Sequence, residues 1–347
     1  MAVATRVRTN VPLASLTTFG IGGTADYFYR ATDETDVWEF VRWAEEEGNV
    51  PIFVLGGGSN LLVSDEGFRG LVLQMAVLGI EERNGIFDVG AGEVWDEFVT
   101  FAVNSGCAGV ECLAGIPGSV GGTPVQNVGA YGQEVSETIE SVRALDRRTG
   151  FFTELSKAEC RFRYRESLFN TDEPGRYVVT RVRFRLRAGG APELKYADLR
   201  KKFAEGAEPT LAEVAAAVRE IRRSKGMLLV DGDADCRSAG SFFKNPIVAE
   251  EMVEQIAAAA GVAVGDVPHW PAGEGKVKVP AAWLLERAGF VKGYGVGPVG
   301  ISTRHTLALT NRGGATFADV QRLQEEIVGA VRAKFGVDLV REPVVLG

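Results

Sequence analysis

In the stretch 238-SAGSFFKNP-246 a single serine, Ser241, stands behind a glycine and ahead of two phenylalanines, a lysine and an asparagine. An alkanol hydroxyl is almost wholly un-ionised near neutral pH and needs an adjacent base to act as a nucleophile. The chain has only two histidines, His269 and His305, and no G-x-S-x-G elbow, so hydrolase chemistry is not indicated. Taken alone, Ser241 reads as a turn residue whose hydroxyl caps a local backbone group. Likewise taken alone, Arg165 in 162-FRYRES-167 reads as a surface ion pair with Glu166 or another acid, and Glu342 in 339-LVREPVVLG-347 as a solvated tail carboxylate.

Three glycine clusters could bring backbone amides to a ligand: 20-GIGG-23, 56-GGGSN-60 and 115-GIPGSVGG-122, the last running on through TPVQNVGAYG to residue 132. Glycine permits positive φ and close backbone approach, which is how successive amides form a nest for phosphate. None of the three is a G-x-G-x-x-G that opens a helix, and there is no G-x-x-x-x-G-K-[ST], so neither a Rossmann site nor a P-loop is supported. A single glycine loop is more often a tight turn. Two long ones, ending in Ser59-Asn60 and Gln126-Asn127, make a ligand cradle an equal reading.

These residues need a scaffold, and the chain of 347 residues with 46% apolar content is long enough for two or three domains. A net charge of −8 and a pI near 5.2 argue against a general nucleic-acid binder, so any anion site must be built locally. The first residues carry no sustained apolar run and nothing approaches a membrane span, from which a cytoplasmic protein is expected. Cys107, Cys112, Cys160 and Cys236 form no C-x-x-C pair, so no metal site is indicated and they read as reduced and partly buried.

Val37, Phe40, Val41 and Ala44 fall at helical spacing from Asp33, with Gly48 closing the pattern; 51-PIFVL-55 then reads as a buried strand. Trp95, Phe98, Val99 and Ala102 mark a second helix, and Thr210 with Glu213 makes a capping box ahead of Leu211, Val214, Val218 and Ile221. In 178-VVTRVRFRLR-187 an apolar face alternates with four arginines. That pattern suits a half-buried antiparallel strand with a solvated basic face, whereas a nucleic-acid strip would interleave exposed aromatics. A polar, aspartate-rich stretch after Gly226 suggests a boundary near 227, followed by helices around 249–260, 280–288 and 316–335 and a final strand-like segment.

The order TTFGIGG, VLGGGSNLLVSD, GIPGSVGGTPVQNVGAYG, ECRFRYRESLF, GSFFKNP and a terminal glutamate before a short apolar tail closely resembles the UDP-N-acetylenolpyruvoylglucosamine reductase (MurB) family of peptidoglycan synthesis, from about Thr17 to the carboxyl end. The resemblance implies an α+β protein. A two-part FAD-binding unit of the vanillyl-alcohol-oxidase (PCMH) type would comprise 1–70 and 71–227, with the PCMH-type region at about 17–188. A smaller α/β substrate-binding domain would follow at 228–335, and a terminal segment, 336–347, would return to the FAD unit. It further implies noncovalent FAD, since neither histidine lies in the glycine loops, with Gly56, Gly57, Gly58, Ser59 and Asn60 forming one arm of the cofactor cradle. The other arm would be Ile116, Pro117, Gly118, Gly121, Gly122 and Thr123, continuing through Gln126, Asn127, Gly129 and Ala130.

By the same resemblance, hydride passes from NADPH to FAD and from flavin N5 to the methylene carbon of UDP-N-acetylglucosamine enolpyruvate, and Ser241 gives a proton to the neighbouring carbon. The product is UDP-N-acetylmuramate. Conjugate addition of hydride drives electron density toward the substrate carboxylate, a role for Arg165 and for Glu342 if burial keeps it protonated. The sequence reads R-E-P at Glu342 where the family pattern has P-E, which loosens its register. Tyr164, Tyr196, Lys225 and Asn245 match substrate-binding positions; Tyr196 lies in 192-PELKYADL-199, resembling the tyrosine loop of the family's longer branch, which closes over substrate. Lys244 and Lys278 are weaker candidates. A monomer with no nucleic-acid or membrane partner is expected. The alternatives are an FAD-dependent oxidase of the same fold and a catalytically silent UDP-sugar-binding protein.

Overall fold

The apolar runs 52-IFVL-55 and 71-LVLQM-75 are of the kind a sheet buries on both faces. In the computed structural model, which describes residues 5–46 and 49–347, they pair in parallel. They belong to a four-stranded sheet in the order Arg8–Pro12, Thr24–Ala31, Phe68–Met75, Ile52–Leu55. Helix α1 (Glu34–Glu46) packs on this sheet and buries Val37, Phe40, Val41 and Ala44, the positions whose spacing predicts it. Asp33 opens the helix by accepting the Asp36 amide at 2.8 Å. Gly48, read as its terminator, lies outside the described residues.

The chain packs as two units, and neither is one continuous stretch. The first takes the residues up to Val11, then Thr24–Gly58 and Phe68–Ser224. Its second sheet is antiparallel, in the order Phe151–Ser156, Ile139–Asp146, Tyr177–Arg185, Ile86–Gly90, Ile80–Arg83. Helix α2 (Trp95–Asn104) sets Trp95 and Phe98 against Phe184, and Phe98 also meets Phe87 edge to face. The fully buried Trp95 indole donates to the Leu113 carbonyl at 2.9 Å, so its one polar atom is satisfied. A single turn, α3 (Ala197–Arg200), precedes α4 (Leu211–Ser224), whose Thr210–Glu213 capping box forms as its spacing predicts.

The arginine strand is less bare than its sequence suggests. Val182 and Phe184 are fully buried, while Arg181 and Arg183 both bind Asp88 on the neighbouring strand and Arg185 binds Glu140. The basic face is thus neutralised across the sheet, which explains why it need not attract a polyanion.

The second unit collects Pro12–Gly23, Ser59–Gly67 and Lys225–Gly347. Its helices are α5 (Met252–Ala260), α6 (Ala281–Arg287) and α7 (Phe317–Phe335), and its core includes Phe19, Ile21, Leu62, Phe242, Phe243 and Phe335. The Thr316–Asp319 capping box starts α7 and Gly336, at φ +67°, ends it. Asp65 adds a second cap by accepting the amides of Phe317 and Ala318 at 2.8 and 3.2 Å.

A linear division at residues 70 and 227 misses this interleaving. Segments 12–23 and 59–67 contribute Phe19, Ile21 and Leu62 to the second core, a tertiary choice that local pattern does not encode. The strand Val344–Leu346 pairs in parallel with Leu61–Val63, a segment within 1–70 that packs in the second unit. All four cysteines are buried and unbridged. Among the described residues no helix is long and apolar enough to cross a membrane, and no cluster of His, Cys, Asp or Glu could hold a metal.

Burial alone would raise the Asp88 carboxyl, but hydrogen bonds and charge from Arg181 and Arg183 outweigh it and hold the group below its usual range. A carboxyl depressed in the folded state stabilises fully above its unfolded value of about 3.9 and loses that contribution as pH falls through the lower folded value. Urea titrations between pH 5 and pH 2.5 are expected to show a steeper acid loss of stability for the unaltered protein than for Asp88→Asn, whose curve should be flatter.

Candidate active site

Backbone crowding builds one group of candidate residues, in the first unit. The Ile52–Leu55 strand runs into Gly56, Gly57 and Gly58, the last at φ +65°. A Cβ on Gly57 would stand 2.7 Å from the Gly118 Cα, and one on Gly56 would stand 2.6 Å from the Ser119 hydroxyl. The two glycine loops therefore touch through their main chains, an approach only glycine permits here. Gly115 is held from both sides: its amide donates to Asp96 at 2.6 Å and its carbonyl accepts from Arg222 Nε at 2.8 Å. Beyond it, Val120 and Gly121 donate to the carbonyls of Glu93 and Ala91, and the Gly118 carbonyl accepts from Trp95.

Ser119 sits at this junction with 7% of its surface exposed, and among the described residues its hydroxyl has no hydrogen-bond partner. A buried hydroxyl left unsatisfied in a glycine cradle is suited to an oxygen-rich ligand such as a pyrophosphate. Pattern reading passed it over, although the signal was there: a hydroxyl residue between Gly118 and Gly121.

The continuation of this arm is organised by Asn127, which takes a left-handed φ of +44°. Its amide nitrogen donates to Glu134 at 2.9 Å and to the Arg163 carbonyl at 3.0 Å, and its oxygen accepts the Ser136 amide. The Asn127 side chain, expected at the cofactor, is therefore committed to the protein, and what it can offer a ligand is the loop it shapes. Gly129 begins the small hairpin Gly129–Ala130 / Gln133–Glu134, where a Cβ would strike Glu134 at 2.7 Å. The Thr123 hydroxyl is buried and donates to Val120. Ile116, Pro117, Gly118 and Gln126 are half-buried, and Gly122 is exposed.

Arg165 reaches the same hairpin, donating to the Gly129 carbonyl at 2.9 Å and to that of Asn127 at 3.5 Å. Its expected structural partner, Glu166, pairs instead with Arg163, which also binds Asp172. Arg165 has φ +59°, a conformation that costs a non-glycine residue energy and gathers at functional sites. Asn170 steadies the turn by donating to the Arg165 carbonyl, and Ser167 ties it to Val125. The Tyr164 ring lies 5.8 Å from the Arg165 guanidinium. Tyr196, 38% exposed, meets Tyr131 edge to face at 5.3 Å, and burial raises both phenols. Burial pushes the Arg222 guanidinium downward in pKa, and the nearby Tyr131 opposes that shift. Neither Tyr131 nor Arg222 carries a sequence pattern that marks it.

A separate group of candidate residues lies in the second unit. Ser241 follows Gly240, at φ +73°, and is half-buried ahead of the fully buried Phe242 and nearly buried Phe243. The Phe242 amide donates to Leu307, and its carbonyl accepts the Glu342 amide at 2.9 Å. Phe243 bridges Arg341, and Lys244 donates to Val340. The carboxyl-terminal segment thus runs antiparallel to the serine segment with Glu342 opposite Phe242. Asn60 joins the arrangement, accepting from the Val344 amide at 3.0 Å and donating to the Glu342 carbonyl at 3.5 Å. Asn245 uses its side-chain oxygen to accept the Ala281 amide at the start of α6, which orients its NH2 group. Lys225 is half-buried beside Gly226, where a Cβ would lie 3.1 Å from Asp235 and 3.2 Å from Arg304. Ser59 is half-buried in this unit too, and so are Lys244 and Lys278. His269 and His305 lie here as well, engaged with Val267 and Leu307, and neither is in a glycine loop.

A glycine cradle with an unsatisfied hydroxyl, at the end of a parallel strand, suits a nucleotide cofactor, and residues 25–156 match the model of an FAD binding domain. The protein is an FAD-binding oxidoreductase. Residues 232–346 match the carboxyl-terminal domain of UDP-N-acetylenolpyruvoylglucosamine reductase. Proteins of that name from Streptomyces coelicolor and Thermobifida fusca are 49% and 47% identical to this chain, each alignment covering 97% of it and 90% and 97% of the relative. The crystal structure of such a reductase from Thermus caldophilus matches over 99% of both chains at a TM-score of 0.68 and 27% identity. This chain belongs to the UDP-N-acetylenolpyruvoylglucosamine reductase family.

Removing the Ser119 hydroxyl should weaken the cradle without disturbing its backbone. Ser119→Ala is expected to raise the FAD dissociation constant about tenfold, the loss of one hydrogen bond to a charged group. Fluorescence titration of apoprotein with FAD measures it, and an unchanged far-UV circular dichroism spectrum would show that the fold is intact.

Proposed function

We propose that this protein reduces UDP-N-acetylglucosamine enolpyruvate to UDP-N-acetylmuramate in peptidoglycan precursor synthesis, with NADPH as reductant, in the cytoplasm. The observation that carries the reading is close identity, along nearly the whole chain, to relatives bearing the reductase name. When bound, FAD supplies hydride-transfer chemistry, held by the Gly56–Gly58 and Ile116–Ala130 loops together with Ser59 and Asn60.

Ser241 is the proton donor in this scheme. Adding hydride to the enolpyruvyl methylene leaves a carbanion, delocalised as an enolate, at the neighbouring carbon. That carbon is basic enough to take an alkanol proton, after which the hydroxyl is replenished from solvent. The Gly240 turn and the hydrogen bonds of Phe242 fix the hydroxyl's backbone, which suits a group that must present one proton to one face. Arg165 stabilises the charge that gathers on the substrate carboxylate. Glu342 takes part as a protonated hydrogen-bond donor, and its main-chain bond to Phe242 supports the register that the R-E-P order left loose. Tyr164, Tyr196, Lys225 and Asn245 bind the UDP-sugar, Lys225 as a cation for the diphosphate and Asn245 through its NH2 group.

Anaerobic addition of NADPH to the purified yellow protein should bleach the flavin absorbance, and addition of the enolpyruvyl UDP-sugar should restore it. Bleaching without recovery would point to another electron acceptor. Ser241→Ala is expected to bleach at the normal rate and recover about 10²- to 10⁴-fold more slowly, the range for loss of a general acid. A normal recovery rate would remove Ser241 from its proposed role.

A further inference from the structure

Glu111 is fully buried at the start of a short turn, Glu111–Leu113, in the first unit. Its carboxylate accepts three hydrogen bonds from three separate segments: Gly109 N at 2.6 Å, Gln133 Nε2 at 2.9 Å and Glu193 N at 3.1 Å. Gln133 cannot turn its amide round without loss, because its oxygen accepts the Cys112 amide at 2.8 Å. The Cys112 thiol, pushed up to about 12 chiefly by burial, stays protonated and donates to the Glu193 carbonyl at 3.1 Å. The main chain of Glu193 is thus gripped on either side of its Cα, N–H by Glu111 and C=O by Cys112.

The two arms lead to different parts of the site. Gln133 lies in the hairpin strand opposite Gly129–Ala130, where Gly129 receives Arg165 and Tyr131 forms the turn. Glu193 stands three residues before Tyr196, and the chain between them packs on that hairpin: a Cβ on Gly132 would lie 2.9 Å from Lys195 Cβ. Burying a carboxylate is costly unless donors compensate it, and donors from three segments compensate it only while those segments keep their spacing.

We propose that Glu111 is a positioning residue for substrate capture: its carboxylate, with the Cys112 thiol, holds the Glu193 main chain so that Tyr196 is presented at a fixed place beside the Arg165 hairpin. The proposal rests on the reading of Tyr196 as a substrate-binding residue. Its key bond runs to a main-chain N–H, so it can be tested one atom at a time. Glu193→Pro deletes that N–H, whereas Glu193→Ala keeps it and removes only the side chain that pairs with Lys195 and Arg187.

The experiment compares the two holoproteins with the unaltered one in FAD content, rate of flavin reduction by NADPH, calorimetric binding of UDP-N-acetylglucosamine enolpyruvate, and trypsin cleavage after the exposed Lys195. Relative to Glu193→Ala, Glu193→Pro is expected to bind the UDP-sugar about tenfold more weakly, as loss of a hydrogen bond to a charged acceptor implies. It should also be cut faster at Lys195, with FAD content and flavin reduction unchanged. Equal affinity and equal cleavage in the two variants would overturn the proposal. Loss of FAD in Glu193→Pro alone would overturn it too, by making the clamp a general brace. Should the unaltered protein fail to bind the UDP-sugar, the functional reading fails, and the cleavage comparison still decides whether Glu111 fixes the loop.

Discussion

Main-chain contact between two glycine loops is the constraint on which the first unit depends. With Gly57 and Gly118 closer than any side chain would allow, the end of a parallel strand and the start of the 115–130 arm become one surface. Much of the local polar bonding serves that contact. Asp96 and Arg222 hold Gly115, the 91–95 segment receives the amides of Val120 and Gly121, and the indole of Trp95 closes the layer beneath. A surface made this way presents amides and a hydroxyl rather than formal charge, in keeping with a chain that is acidic overall.

The second unit solves a different problem, setting Ser241 where its backbone cannot drift. Two phenylalanines directly after Ser241 sink into the core, and the main chain between them is paired on one side with Leu307 and on the other with the carboxyl-terminal segment. The backbone at Ser241 is therefore held by hydrophobic burial in one direction and by hydrogen bonds in the other. Glu342 takes its position from the same pairing, opposite Phe242, with Arg341 opposite Phe243.

Much of this was legible in the sequence because it is local. The helical spacing of Val37 to Ala44, the Thr210–Glu213 and Thr316–Asp319 boxes and the glycine loops all report short-range physics, and they appear where the pattern puts them. What stayed hidden depends on distant partners. Nothing local shows that Phe19 and Leu62 belong to the second core, that Asp88 neutralises two arginines on the next strand, or that the Asn127 amide is spent inside the protein. Glu111 and Ser119 escaped for the same reason: an isolated glutamate and a loop serine have ordinary sequence surroundings, and only burial with counted donors sets them apart.

The pairing of Leu61–Val63 with Val344–Leu346 also has a bearing on biosynthesis. Asn60 and Glu342, which meet at this pairing, are 282 residues apart in the chain. Long-range pairing of this kind is slow, because the entropy of closing the loop is lost before the contact forms. On the ribosome the strand at residue 61 is made early and must wait, its edge uncovered, until residues 344–346 have emerged. The second unit is therefore completed late, and a chaperone able to cover an unpaired strand would meet its greatest need in that interval.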